Sequence, residues 1–142
     1  MNDVLISNIL ETVKPEDTLY ILGDFAFKKE DFEHYRGILE EACQLVFCQG
    51  NHDNKSMNYQ LATDFKYNKM HYYLSHYAWQ TWRPGTVMLH GHCHGSPLPL
   101  PSDSRQQWRW DVGVDTNWTD VYVDRYYPIP ITAVEARIDA TR

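Results

Sequence analysis

The apolar residues of this chain return with two periods, and each period predicts a different element. Between Asn2 and Val13, Leu5, Ile9 and Val13 recur near every 3.6 residues, which predicts a helix. Lys14-Pro15 stops it, because the residue before a proline avoids the helical region. Thr18 to Leu22 and Gln44 to Cys48 are short apolar runs with β-branched or aromatic content, the pattern of buried strands. Between them Phe32, Tyr35, Ile38, Leu39 and Ala42 fall at helical spacing, with Asp31 placed to cap a helix that runs to about Cys43. Strand, helix and strand in that order predict a right-handed crossover joining a parallel pair.

The second half reads less regularly. Lys55 to Ala62 predicts a short helix, and the aromatic, partly alternating stretch from Phe65 to Tyr77 predicts strands. Trp79 to Gly85 is a loop, Thr86 to Leu89 a strand, and Trp108 to Val114 an alternating strand. Ser96 to Ser102 carries prolines at alternate positions, which excludes a helix or a central strand and predicts a stiff exposed loop. Tyr127 to Pro130 is a further loop, and Thr132 is placed to cap a last helix through about Ile138. The class is α/β. With no repeat and no linker, residues 1–142 read as one domain.

Composition narrows the function classes. At 43% apolar and 23% charged the chain falls in the ordinary globular range. A net charge of -6 and the lack of any lysine or arginine run argue against a protein that coats nucleic acid. A small phosphate substrate stays open, because bound cations would invert the local potential. Cys43, Cys48 and Cys93 have no secreted-framework spacing and fit a reducing compartment. No apolar stretch reaches the roughly 18 residues of a membrane span, and no signal peptide is visible, so a cytoplasmic location without a membrane partner is expected.

The chemistry sits where strands end. Leu19 to Leu22 runs into Gly23-Asp24, Leu45 to Cys48 into Gly50-Asn51-His52-Asp53, and Val87 to Leu89 towards Gly91-His92-Cys93-His94-Gly95. A glycine after a strand lets the backbone turn, and strand exits are where open α/β sheets bind ligands. Asp24 offers a carboxylate, Asn51 an amide oxygen, and His76, His92 and His94 imidazoles. Oxygen and imidazole donors without thiolate suit Mn, Fe, Co, Ni or Zn. A bridged pair of such ions clamps a phosphate and lowers the pKa of a shared water to near neutrality. His52 then stands beside the metals as a proton donor or a stabiliser of phosphoryl charge, with Asp53 to orient it. His34 and His71 have no motif around them and read as ordinary surface or core residues. Trp79, Trp82 and Trp108 read as packing, Arg83 and Arg105 as solvated cations, Cys93 as a non-ligand, and Asp111 and Asp115 as strand-end structure.

In order and spacing, Gly23-Asp24, Gly50-Asn51-His52-Asp53, His76 in Leu74-Ser75-His76-Tyr77, and Gly91-His92-Cys93-His94 resemble the calcineurin-like metallophosphoesterase superfamily. The resemblance covers nearly the whole chain and is closest to the short, single-domain phosphoesterases of bacteria and phages. It implies a four-layer αββα sandwich of two mixed sheets flanked by helices. It also implies two divalent metal ions, manganese foremost. Asp24 matches the carboxylate that bridges both ions. Asn51, His76 and His92 match the other ligands of the second, and His94 matches a ligand of the first. His52 matches the general acid or transition-state stabiliser.

One element of the family pattern has no counterpart. The pattern opens with Asp-x-His at the end of an N-terminal strand, and nothing in residues 1–142 matches it; Asp3 has no histidine two positions on. The expectation is therefore a missing N-terminal central strand, an opened core with a neighbouring strand left unpaired, and a first metal site reduced to Asp24 and His94. A late start or truncation, a one-metal protein, or a homo-oligomer in which a neighbour fills the gap would each account for it. The functional expectation is a phosphoesterase acting on a phosphodiester or phosphomonoester. The alternative is an inactive remnant that keeps one metal and serves as a binding or scaffold protein.

Overall fold

The computed structural model describes residues 2–22, 29–48, 61–91, 108–113 and 116–141. The elements are α1 (Asn2–Thr12), β1 (Thr18–Ile21), α2 (Lys29–Ala42), β2 (Gln44–Phe47), β3 (Ala62–Tyr67), β4 (Met70–Ser75), β5 (Val87–His90), β6 (Trp108–Asp111), a 3-10 turn (Thr119–Val121) and α3 (Ile131–Ala140). The class is α/β, with two sheets and three helices among the described residues. None of those helices is long and apolar enough to cross a membrane.

The expected crossover is present: β1 and β2 pair in parallel, Thr18 opposite Gln44 and Ile21 opposite Phe47. Alternation along β1 splits its side chains between two cores. Leu19 and Ile21 pack with Ile6 and Ile9 of α1 and with Leu39 of α2. Leu22, just past the strand, and Tyr20 join the larger core that faces the second sheet. The helix pair thus covers the outer face of the first sheet, as period-3.6 apolar stripes require.

The second sheet has the order β3-β4-β5-β6, antiparallel at β3–β4 and parallel from β4 to β6. The hairpin between β3 and β4 turns at Asn68 and Lys69, both with positive φ (48° and 68°), which is the twist-matched two-residue hairpin loop. Tyr72, Leu74, Val87, Leu89 and Trp108 line its inner face. Rings bridge the two sheets: Tyr20 stacks on Phe65 at 4.9 Å and Phe65 on Tyr72 at 5.1 Å. Helix α3 contributes Ala133, Val134 and Ile138 to the same core. The expected packing roles of Trp79, Trp82 and Trp108 hold. Trp82 and Trp108 are buried, and Trp79 leans on Tyr73.

Several boundaries differ from the sequence reading. Helix α2 begins at Lys29, before Asp31, so Asp31 lies within the helix. Helix α3 begins at Ile131 with Pro130 as its cap rather than Thr132. Pro130 is extended (φ -72°, ψ 152°), and its carbonyl accepts the Ala133 amide at 3.0 Å, so the proline ring supplies the entry angle that a hydroxyl cap would otherwise fix. Strand β6 stops at Asp111, where the carboxylate accepts the Gly113 N–H at 2.9 Å and turns the chain. Ala62, expected at the end of a helix, opens β3; residues 55–60 of that expected helix and the loop 96–102 lie outside the described residues.

Candidate functional site

The exits of β1, β2, β4 and β5 meet. Strands β1 and β2 run parallel, and so do β4, β5 and β6, so ladder geometry alone brings exits to a common end within each sheet. One side chain ties the two sheets together at that end. His76, the residue after β4, donates Nδ1–H to the carbonyl of Leu22, the residue after β1, at 2.7 Å. Gly91, the residue after β5, donates its N–H to the His76 carbonyl at 3.1 Å. A Cβ added at Gly91 would sit 3.4 Å from Leu22 O and 3.8 Å from His76 Nδ1, so the three strand exits lie within one side-chain carbon of contact. Cys48, just past β2, approaches the Leu74 carbonyl of β4 through its thiol at 4.0 Å.

His76 is buried, with 2% of its surface exposed. A carbonyl oxygen can only accept, so its bond to Leu22 fixes the proton on Nδ1 and leaves the lone pair on Nε2. That is the tautomer in which histidines ligate metals, with the other ring nitrogen held by a backbone carbonyl. No local pattern signals this arrangement, since Ser75-His76-Tyr77 reads as the end of a strand.

The remaining expected residues are Asp24, Asn51, His52, Asp53, His92 and His94; all lie outside the described residues, as do Cys93, Arg105 and Asp115. Among the described residues no three His, Cys, Asp or Glu side chains form a metal-sized group.

A second buried histidine went unread. His90 ends β5, opposite Asp111 of β6, and is 2% exposed. It donates Nδ1–H to the Gly91 carbonyl at 2.9 Å. Burial pushes its imidazole below the ordinary histidine range. The Gly91 hydrogen bond and the Asp111 charge oppose that shift, and Arg109 adds to it. The signal was a polar residue closing an otherwise apolar run immediately before Gly91-His92. Asp111 itself is strand-end structure, as expected: its carboxylate holds Gly113 and its carbonyl accepts Trp118 Nε1–H at 3.0 Å.

His71 and Arg83 are not solitary. Asp64 and His71 meet diagonally across the β3–β4 hairpin, with His71 Nε2 and Asp64 Oδ2 at 2.6 Å, and Arg83 donates to His71 Nδ1 at 3.0 Å. Arg83 precedes Pro84-Gly85, where Gly85 has φ +78°, and this turn carries the arginine back over the hairpin. The cluster lies on the outer surface of the second sheet, stacked on Tyr73.

No protein-family model matches the chain. An uncharacterized protein of Methanocaldococcus jannaschii is 30% identical over 106 residues, 69% of this chain and 56% of that protein. The chain therefore spans little more than half the length of the curated relative it matches. The crystal structure of a protein of unknown function from Aquifex aeolicus aligns with a TM-score of 0.64 at 24% identity, over 99% of this chain and 84% of that one. At that identity the likeness concerns the fold, and function has to be argued from the site.

Proposed function

We propose that this chain is a metal-dependent phosphoesterase of the calcineurin-like kind, with its centre where β1, β2, β4 and β5 end. The observation that carries the reading is the contact of Leu22, His76 and Gly91. These residues stand immediately before Gly23-Asp24, within the third motif, and immediately before His92. Motifs widely separated in sequence therefore start from one place.

The donor set suits divalent metal. His76 is locked in the ligating tautomer by the Leu22 carbonyl, and Asp24, Asn51, His92 and His94 add oxygen and imidazole donors of the type that manganese takes. Two bound ions would supply a Lewis-acid clamp for phosphate and a water acidic enough to ionise near neutral pH. The chain's own residues do the rest. Asp24, Asn51, His76 and His92 would hold the second ion, and Asp24 and His94 would contribute to the first. His52 holds the proton that the leaving oxygen receives, and Asp53 orients that imidazole. The substrate is a small phosphate ester, with a diester favoured because a proton on His52 suits an alkoxide leaving group. The free, buried thiols of Cys43 and Cys48 fit a reducing compartment, and we place the chain in the cytoplasm.

The test is hydrolysis of bis(4-nitrophenyl) phosphate and 4-nitrophenyl phosphate by the Mn²⁺-loaded chain. His52→Ala should slow turnover by about 10²-fold or more while metal content is kept. A variant as fast as the parent would remove that role. The same experiment addresses the alternative, an inactive remnant. In it the chain keeps one ion and acts as a binding or scaffold protein, and it predicts one metal per chain with no hydrolysis of either ester.

A further inference from the structure

Three neighbouring strands end in one polar row. Ser75 pairs with His90 and His90 with Asp111, so the last residues of β4, β5 and β6 stand side by side. Alternation puts all three on the face opposite Leu74 and Leu89, which line the core. Ser75 and His90 are buried there. Each side chain holds the main chain just past its own strand. Ser75 Oγ accepts the Tyr77 N–H at 3.3 Å, and Asp111 Oδ1 accepts the Gly113 N–H at 2.9 Å. Serine and aspartate are ordinary strand-end residues of this kind. His90 differs. Its Nδ1–H reaches one residue on, to the Gly91 carbonyl at 2.9 Å, and a carboxylate in its place could not donate there.

Gly91 is the residue that most needs holding. A glycine rotates more freely than any other residue, and a side chain in its place would crowd Leu22 and His76. Both of its main-chain groups are taken. The carbonyl accepts from His90, and the N–H donates to the His76 carbonyl at 3.1 Å. His76 in turn donates Nδ1–H to Leu22 O at 2.7 Å. These bonds form a relay from the far face of the second sheet to the end of β1: His90, Gly91, His76, Leu22. Gly91 cannot turn without breaking a link at one side or the other. Its carbonyl also belongs to the peptide bond that leads into His92.

We propose that His90 is a positioning residue of the metal centre. It fixes Gly91, and through Gly91 it sets the main chain of His76 and the entry to His92. The ring itself lies on the face away from Leu22, so it supports ligands and is not one of them. The inference rests on the phosphoesterase reading and adds to it a residue that supports His76 from behind. Partners of this sort are worth about 10- to 100-fold in metal affinity.

The test is titration of Mn²⁺ and Co²⁺ into the chain and three variants. His90→Leu keeps an apolar body and removes the donor. His90→Asn keeps an N–H donor near the position of Nδ1. Ile138→Ala, buried in α3 and outside the relay, lowers stability alone. His90→Leu should weaken binding by about 10- to 100-fold and change the visible absorption of bound Co²⁺. His90→Asn should restore both, and Ile138→Ala should leave both as in the parent. Parental affinity in His90→Leu overturns the inference and leaves the metal reading standing. So does a His90→Asn as weak as His90→Leu, or an equal loss in Ile138→Ala. A parent that binds neither ion overturns the metal reading and this role with it. Should His90→Leu misfold, the unaltered chain decides. Coupling is reciprocal, so Zn²⁺ should slow exchange of the His90 Nδ1–H, read by NMR, by roughly tenfold or more. Unchanged exchange in the loaded chain overturns the role.

Discussion

The two sheets are enclosed to different degrees. All four residues of β5 are buried between β4 and β6. In the first sheet both strands start exposed and continue half-buried, and β1 borders an open cleft. Yet the candidate site needs both: His76 comes from the tightly packed sheet, and the Leu22 carbonyl that fixes its tautomer comes from the looser one. Precision at such a site depends on the half that is less well held.

The contrast can be broken most strongly in the cores. Leu74→Ala, in the second sheet, should cost about 3 kcal/mol, in the range for emptying a closed apolar site. Leu45→Ala, half-buried in β2, should cost about 1 kcal/mol, because less of it is removed from water and its surroundings can relax. Urea unfolding of both measures this, and equal losses would erase the contrast.

The bond between the sheets comes next. His76→Ala removes a proposed ligand together with the bond to the Leu22 carbonyl, and should weaken Mn²⁺ binding by about 10²-fold, at the upper end for disturbing a ligand's support. Isothermal titration reads this directly; unchanged affinity would separate His76 from metal. Gly91 sharpens the point by size. Gly91→Ala should change stability by less than about 0.5 kcal/mol, since its Cβ would make ordinary contacts. Gly91→Val should cost about 1–3 kcal/mol by forcing Leu22 and His76 apart.

Cys48 tests the seam by pH. Burial pushes its thiol up to about 11 from an ordinary value of 9.0. The unfolded chain therefore loses the proton first as pH rises. The stability Cys48 contributes is complete below pH 9 and is lost as pH climbs through 11. Cys48→Ala should flatten the fall in unfolding free energy between those values, and an unchanged slope would place its origin elsewhere. The smallest effect is expected on the solvent side of α2. The exposed Arg36–Glu40 pair, 2.6 Å apart, should contribute no more than about 0.5 kcal/mol when Glu40→Ala removes it.

Legibility in the sequence followed the same division. Both strands of the first sheet, the crossover helix and β5 were readable because short apolar runs and period-3.6 stripes are strong local signals. Strand β3 was not separable from β4: Asp64 and Lys66 interrupt it, and the turn at Asn68-Lys69 has no glycine. The order β4-β5-β6 was unreadable because parallel pairing is set by long-range contacts. His76 became a candidate only through its place in the family pattern. Its bond to Leu22 joins residues 54 positions apart, and no local motif encodes that. His90 was missed because sequence periodicity does not distinguish a buried histidine from a half-exposed one.

On the proposed reading these strand exits hold a metal centre. Its most direct test is elemental analysis of the purified chain, loaded with Mn²⁺ and desalted, beside His76→Ala treated alike. About two ions per chain are expected in the parent, against one under the scaffold reading, with a clear loss in the variant. A folded parent that retains no stoichiometric metal would contradict the reading.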